Sequence, residues 1–337
     1  MRIGILTAGG DCPGINATIR GVCKTAISYY GMEVYGMHNG FRGLLDDDVI
    51  QLTENSLGGL LTMGGTVLGT SRVKPFRKDR GFSLSDSRPA ALLKTIHDHG
   101  LECLVCIGGN GTQNTAAMLA KAGVNVVMIP KTIDNDVFGT DISFGFDSAV
   151  SIATEAIDRL HSTASSHQRV MVIEVMGHKA GWIALHSGMA GGGDIILIPE
   201  LPFNIHNIGD VIINRLKKGK PYSIVVVAEG IPTFNGKKAA QYIAEEIEYE
   251  TGFETRETVL GYIQRGGSPT AFDRTLATRM GGHATELIAQ KQFGRMVALR
   301  GSEIVSVPLS EVAGKLKLVT ADNDLIIQGK RMGVCFG

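Results

Sequence analysis

The most specific chemistry in the chain sits in residues 130–136, Pro-Lys-Thr-Ile-Asp-Asn-Asp. Two carboxylates two residues apart, Asp134 and Asp136, lie beside the hydroxyl of Thr132 and the ammonium of Lys131. That set suits a site where a hydroxyl is deprotonated next to a metal-bound phosphate. Two glycine turns supply the complementary part. One contains Gly9 and Gly10; the other reads Gly108-Gly109-Asn110-Gly111-Thr112 and leads into a helix opening near Thr112. Glycines let backbone N–H groups approach phosphate oxygens, and a helix N-terminus adds partial positive charge. A solvated Asp-Asn-Asp turn and a plain Gly-Gly turn are each common. All three segments, however, directly follow apolar runs, and their convergence reads as a polyphosphate cradle.

Each segment needs a strand behind it. Apolar runs at 2–7, 101–108, 125–131, 169–175, 194–200 and 223–230 predict buried strands. Helical period falls near 14–29, 89–99, 112–122, 147–163, 206–218 and 237–250. Continuous Val, Ile and Leu strands alternating with helices predict an α/β chain with parallel sheets covered on both faces. Residues 298–309 read as a hairpin instead. In such sheets ligands gather at the carboxyl ends of the strands, where the polar segments fall. There is no repeat, low-complexity tract or flexible linker, so any two lobes are expected to be joined by chain crossings.

Composition excludes several classes of function. At 337 residues the chain fits one large or two medium α/β lobes. Lys plus Arg equals Asp plus Glu at 33 each, so no overall field recruits nucleic acid or anionic lipid. Five scattered cysteines make no secreted disulfide framework, and a reducing, cytoplasmic setting is expected. Cys103 and Cys106 have C-x-x-C spacing but lie inside an apolar run without a nearby His, so they read as strand residues. No apolar run reaches the roughly 20 residues of a membrane span. A dinucleotide-binding turn is excluded by spacing: Gly9, Gly10 and Gly14 do not make G-x-G-x-x-G.

The series GGDCPGIN, GGTVLGTSR, GGNGT, PKTIDND, SSHQRVMVIEVMGHKAGW, VVVAEG and ETRETVLGYIQRGGSPTAFDR runs in this order over nearly the whole chain. It resembles the 6-phosphofructokinases, in particular ATP-dependent members that share PKTIDND with pyrophosphate-dependent enzymes. The resemblance implies two lobes, each a mainly parallel sheet covered by helices. Residues 1–145 with about 258–308 would bind nucleotide; residues 146–257 with about 309–337 would bind sugar phosphate. It implies phosphoryl transfer from ATP, with Mg²⁺, to the 1-hydroxyl of fructose 6-phosphate, a step of glycolysis. Asp134 aligns with the base and Thr132 and Lys131 with sugar contacts. Gly10, Ser71, Arg72, Gly109, Asn110, Gly111 and Thr112 align with nucleotide and phosphoryl contacts, of which Arg72, Lys131 and Gly111 also count as catalytic. Met176, Gly177, His178, Glu229 and Tyr262 align with sugar-phosphate contacts, and Arg265 with a 6-phosphate ligand. Arg169 and Arg256 align with arginines that reach the sugar phosphate of a neighbouring subunit, which implies a homodimer or homotetramer with shared sites. An NAD-kinase-like small-molecule kinase, the distant alternative, would carry a similar glycine turn but would not need PKTIDND with the late arginines.

The departures sharpen the expectations. Where the family commonly has an acid that ligates Mg²⁺, this chain has Asn110, which adds no charge; Asp136 is the other candidate ligand. His178 stands where an Arg is common, and Tyr262 where many bacterial relatives have His. In pyrophosphate-using relatives an acid fills the position of Gly111 and a Lys that of Lys131. This chain has the Lys but not the acid, which predicts ATP over pyrophosphate. Arg20, Lys218 and Lys220 match basic residues of an effector pocket, and His161 replaces another.

Overall fold

The computed structural model of the chain describes residues 1–76, 87–234 and 236–337. Strands β1 (Arg2–Ala8), β2 (Glu33–Met37), β3 (Val49–Leu52), β4 (Cys103–Gly108) and β5 (Val126–Pro130) form one sheet with β10 (Arg295–Arg300) and β11 (Glu303–Pro308). Strands β6 (Val170–Val175), β7 (Ile195–Leu197), β8 (Ser223–Ala228) and β9 (Thr255–Val259) form a second. The seven-stranded sheet has the order β11-β10-β5-β4-β1-β2-β3 and is parallel except at its two antiparallel edges. The four-stranded sheet, β7-β8-β6-β9, is parallel throughout. The α/β class read from the apolar runs is therefore observed, and the late hairpin is β10 with β11.

The chain divides into two compact units. The first holds Met1–Thr132, Val137–Asp147 and Arg265–Leu316; the second holds Ile133–Asp136, Ser148–Gln264 and Lys317–Gly337. The first unit packs Leu6, Leu104, Cys106, Val126 and Met128 of its strands against Ala116 and Leu119 of the helix Asn110–Lys121. The second packs Val172, Val225 and Val227 against Ala240, Ile243, Ala244 and Ile247. Those four lie at i, i+3, i+4 and i+7 on the helix Ala239–Thr251, the stripe an amphipathic helix turns toward a sheet. Gly252 ends that helix in the left-handed region at φ 69°, where a glycine is unstrained.

Candidate active site

Strand register in the first unit brings the predicted phosphate-binding segments together. Ala8 pairs with Gly108 and Gly108 with Pro130, so neighbours β1, β4 and β5 end on one rung. The residues that follow, Gly9-Gly10, Gly109-Asn110 and Lys131-Thr132, emerge side by side at the carboxyl edge. The chain runs from β1 to β2 on one side and returns to β4 on the other. The gap between β1 and β4 is thus a topological switch point, the usual ligand crevice of an open sheet.

A loop from Thr66 to Arg72 is stitched to the end of β1. Thr7 Oγ1 donates to Gly69 O at 2.6 Å, Gly9 N–H to Ser71 O at 3.0 Å and Thr70 Oγ1 to Gly9 O at 2.7 Å. Ser71 Oγ donates to Asn39 O at 2.6 Å, and the buried Asn16 accepts from Val67 N–H at 2.9 Å. These bonds hold the exposed Arg72 beside the first glycine turn. Neither Thr7 nor Asn16 was legible as a site residue, because Asn16 bonds only to backbone groups and Thr7 to the Gly69 carbonyl and the Thr66 hydroxyl, all distant in sequence.

Two cations converge on that turn. Lys131 is 3% exposed and its Nζ donates to Gly10 O. Arg265 Nη1 donates to Asp11 O at 3.4 Å, and a Cβ at Gly10 would stand 1.8 Å from the same Nη1. A side chain at position 10 would therefore displace the Arg265 guanidinium from where it now lies. Arg265 Nε is buried with no partner among the described residues, which leaves a charged donor available to an anion.

The second turn opens the helix Asn110–Lys121 two residues earlier than its sequence suggested, with Gly109 as N-cap. Thr112 is buried within the first turn, and a Cβ at Gly108 would strike its side chain. Asn110 Oδ1 is a buried acceptor without a partner among the described residues. Gly111 is the opposite case: a Cβ there meets no atom within 4 Å.

The second unit repeats the register logic. Val175 pairs with Ala228 and Glu174 with Val259, so β6, β8 and β9 also end together. Met176-Gly177-His178, Glu229-Gly230 and Gly261-Tyr262 follow these ends. Glu229 Oε1 accepts from the N–H groups of Gly177 and His178 at 3.3 and 2.8 Å, and Met176 N–H donates to Gln264 Oε1 at 3.3 Å. A pocket of about 350 Å³ is lined by Met176, Glu229 and Tyr262 with Glu174, Lys237 and Lys238. The two lysines carry no motif, so nothing in the sequence pointed to them, whereas Glu174 lies within the segment SSHQRVMVIEVMGHKAGW without standing out in it.

Arg169 and Arg256 stand elsewhere. Arg169 precedes β6, and Arg256 pairs with Met171 near the start of that strand, so both lie toward the amino edge of the sheet. They share one carboxylate: Arg169 Nε donates to Glu254 Oε2 at 2.6 Å, and Arg256 Nη2 donates to Glu254 Oε1. The hydrogen bond from Arg169 and the nearby guanidinium charges hold the Glu254 carboxyl below its ordinary range.

The remaining residues of the heptapeptide differ in exposure. Asn135 and Asp136 are 3% and 5% exposed, whereas Asp134 is half-buried and the more accessible carboxylate. Among the described residues no group of three or more His, Cys, Asp or Glu could cage a metal. The donors present suit a divalent ion carried largely by substrate phosphates: the orphan amide oxygen of Asn110 can take a cation or one of its waters.

A family model described as Phosphofructokinase matches residues 2–288. The chain belongs to the phosphofructokinase family. It is 75% identical, over all of both chains, to ATP-dependent 6-phosphofructokinase 3 of Bacteroides thetaiotaomicron. It is 46% identical, again over all of both chains, to a pyrophosphate–fructose 6-phosphate 1-phosphotransferase of Streptomyces coelicolor. The crystal structure of Pichia pastoris phosphofructokinase in the T-state superposes with a TM-score of 0.85 at 33% identity. That match covers 93% of this chain and 35% of the yeast chain.

Within this phosphofructokinase fold several side chains are already engaged. His161, at a candidate effector position, has Nε2 2.7 Å from Gly191 O and Nδ1 3.2 Å from Tyr222 Oη. Lys217 and Lys218 finish the helix Ile205–Lys217, where its dipole favours positive charge. Tyr262 is 77% exposed and Arg72 is exposed as well, so both are open to a ligand. Cys103 and Cys106 are buried strand residues, and burial pushes the Cys106 thiol up to about 12. A buried thiol that resists ionisation is a poor nucleophile.

Proposed function

We propose that this phosphofructokinase transfers the γ-phosphoryl group of ATP to the 1-hydroxyl of fructose 6-phosphate, giving fructose 1,6-bisphosphate and ADP, the committing phosphorylation of glycolysis. The nucleotide phosphates rest on the flush ends of β1 and β4, against the N-terminus of the helix Asn110–Lys121. Fructose 6-phosphate is held by Met176, Gly177, His178, Glu229 and Tyr262. The sugar 1-hydroxyl gives its proton to Asp134 while its oxygen bonds to the γ-phosphorus. The bond from that phosphorus to the β,γ-bridging oxygen breaks, and ADP leaves with the electron pair. Arg72, permanently charged and forked, balances charge on the transferring phosphoryl. Mg²⁺, when bound, neutralises phosphate charge, with Asn110 and Asp136 as the residues able to hold it or orient its waters.

The observation that carries ATP as donor is the missing side chain at Gly111, where even an added Cβ would meet no atom within 4 Å, so nothing at that position obstructs a nucleotide α-phosphate. The second reading, pyrophosphate as donor, draws on Lys131 and on the Streptomyces coelicolor relative. The placement of Arg169 and Arg256 away from Met176 and Glu229 supports self-association with sites shared between subunits. Initial rates with fructose 6-phosphate and either ATP or pyrophosphate decide the donor. We expect ADP formation that requires fructose 6-phosphate and Mg²⁺; turnover with pyrophosphate alone would replace the first reading by the second.

A further inference from the structure

The turn that carries Asp134 is gripped by a residue that the reaction as described does not use. Lys317 Nζ donates to Asn135 Oδ1 at 2.8 Å, and the Lys317 backbone N–H donates to Asp136 O at 2.9 Å. One residue therefore holds both positions that follow Asp134. Lys317 is itself held: its carbonyl accepts from Trp182 Nε1 at 2.9 Å, and its ammonium stands 5.4 Å from the centre of the indole ring. Glu200 completes the support. It accepts from Gly181 N–H at 2.9 and 3.1 Å and from Val319 N–H at 3.0 Å, tying the segment after Lys317 to the start of the helix Trp182–Ala190.

The turn needs such a grip. Asn135 has φ 51°, in the left-handed region that a side chain makes uncommon, and at 3% exposure its amide cannot rely on water. Lys317 supplies a donor to the buried amide oxygen and also places a positive charge on the residue between the two carboxylates. A base at the end of a loose turn loses rate steeply, since misplacement by about 1 Å can cost about 100-fold. Burial and the Lys317 charge lower the pKa of His186, whose ring centre is 6.2 Å from that of Trp182, which disfavours a second cation beside the clamp.

We propose that Lys317, buttressed by Trp182 and Glu200, is a positioning residue for phosphoryl transfer that fixes the turn 133–136 and keeps Asp134 in the geometry of a base. The proposal rests on the reading of Asp134 as that base. Lys317→Met should lower kcat with ATP and fructose 6-phosphate by about 10- to 100-fold, with either KM moved less than about threefold. Lys317→Arg, which keeps charge and donors, should recover most of the rate. Trp182 is the only tryptophan in the chain, so its emission reports the clamp directly. It should shift in Lys317→Met and return in Lys317→Arg. Unchanged kcat in Lys317→Met, or a loss not recovered by Lys317→Arg, would overturn the proposal. Should Lys317→Met fail to fold, Trp182→Phe removes the indole N–H on Lys317 O and shrinks the ring beside its ammonium; a fall in kcat at constant KM supports the clamp, and unchanged kcat refutes it. Asp134→Asn, run alongside, separates the two ideas. If it retains turnover the base reading fails; if it is inactive while Lys317→Met is fully active, only the clamp fails.

Discussion

Arg169 and Met176 flank the same strand, one at each end of β6, roughly 20 Å apart by strand rise. An arginine side chain cannot cover that span, so the two residues cannot meet one sugar phosphate within a single chain. If both serve fructose 6-phosphate, they serve different copies of it. Arg169→Ala and Arg256→Ala should each raise the KM for fructose 6-phosphate. A co-refolded mixture of Arg169→Ala with Met176→Asp chains should then exceed both parents in activity, because some interfaces combine an intact arginine with an intact sugar pocket. Mixtures that never exceed their parents would mean that each arginine serves its own chain.

Glu254 sets how those arginines wait. Its folded pKa is depressed, so its ion pairs are complete above the ordinary glutamate range and are lost only as pH falls through the lower, folded value. From pH 6 to 9 Glu254 should impose no pH dependence on the KM for fructose 6-phosphate. Glu254→Gln at pH 7 imitates the protonated state. Because the pair is partly exposed, the KM should change by less than about fivefold. A change as large as that of Arg169→Ala would mean that Glu254 does more than hold the two guanidiniums.

Asp134→Asn keeps the shape of the side chain and removes the proposed base. Turnover should fall by about 10² to 10⁴, with fructose 6-phosphate binding, read by thermal shift, largely retained. Near-normal turnover would assign the proton to another acceptor, and Asp136, buried at 5% exposure, is the less accessible candidate.

The legible part of this site was the part written in strand ends. Runs such as Leu104–Gly108 and Val126–Pro130 are apolar throughout because both faces of their sheet are covered, and the polar residues after them mark the carboxyl edge without ambiguity. Strands β2, β3 and β9 escaped because they lie at or near sheet edges and mix polar with apolar residues; β9 reads Thr-Arg-Glu-Thr-Val. The helix Ala271–Ala289 escaped because glycines and charges interrupt its apolar period. Lys317 was invisible for another reason: it acts on Asn135 and Asp136, far away in sequence, and a lone Lys has no local pattern to announce it. Glu254 opens the ETRET segment, but its role depends on Arg169, distant in sequence, and so could not be read from that segment. The start of one helix at the site was also read late: Gly109 caps a helix that already includes Asn110, because glycine's low helix propensity masks a first turn stabilised by its position after a strand.

Gly111 is the residue on which the proposed choice of phosphoryl donor turns. It is the second residue of the helix Asn110–Lys121, its φ lies outside the left-handed region, and a Cβ meets nothing within 4 Å. An aspartate therefore fits the free chain without strain, and in the first turn of a helix its charge is favoured by about 0.3–1 kcal/mol. Gly111→Asp should accordingly melt no lower than wild type. Its effect should appear only with nucleotide, where the new carboxylate stands against the α-phosphate and kcat/KM for ATP falls. Pyrophosphate has no α-phosphate or ribose and should be affected less. Asn110→Asp should instead sharpen the dependence on Mg²⁺, because it converts an orphan amide oxygen into a hard anionic one. The double variant, with Lys131 already on the floor of the cradle, should shift the ratio of kcat/KM values furthest toward pyrophosphate. A wild type that prefers pyrophosphate, or a Gly111→Asp ratio that does not move while the melting temperature holds, would show that the space at Gly111 does not select the donor.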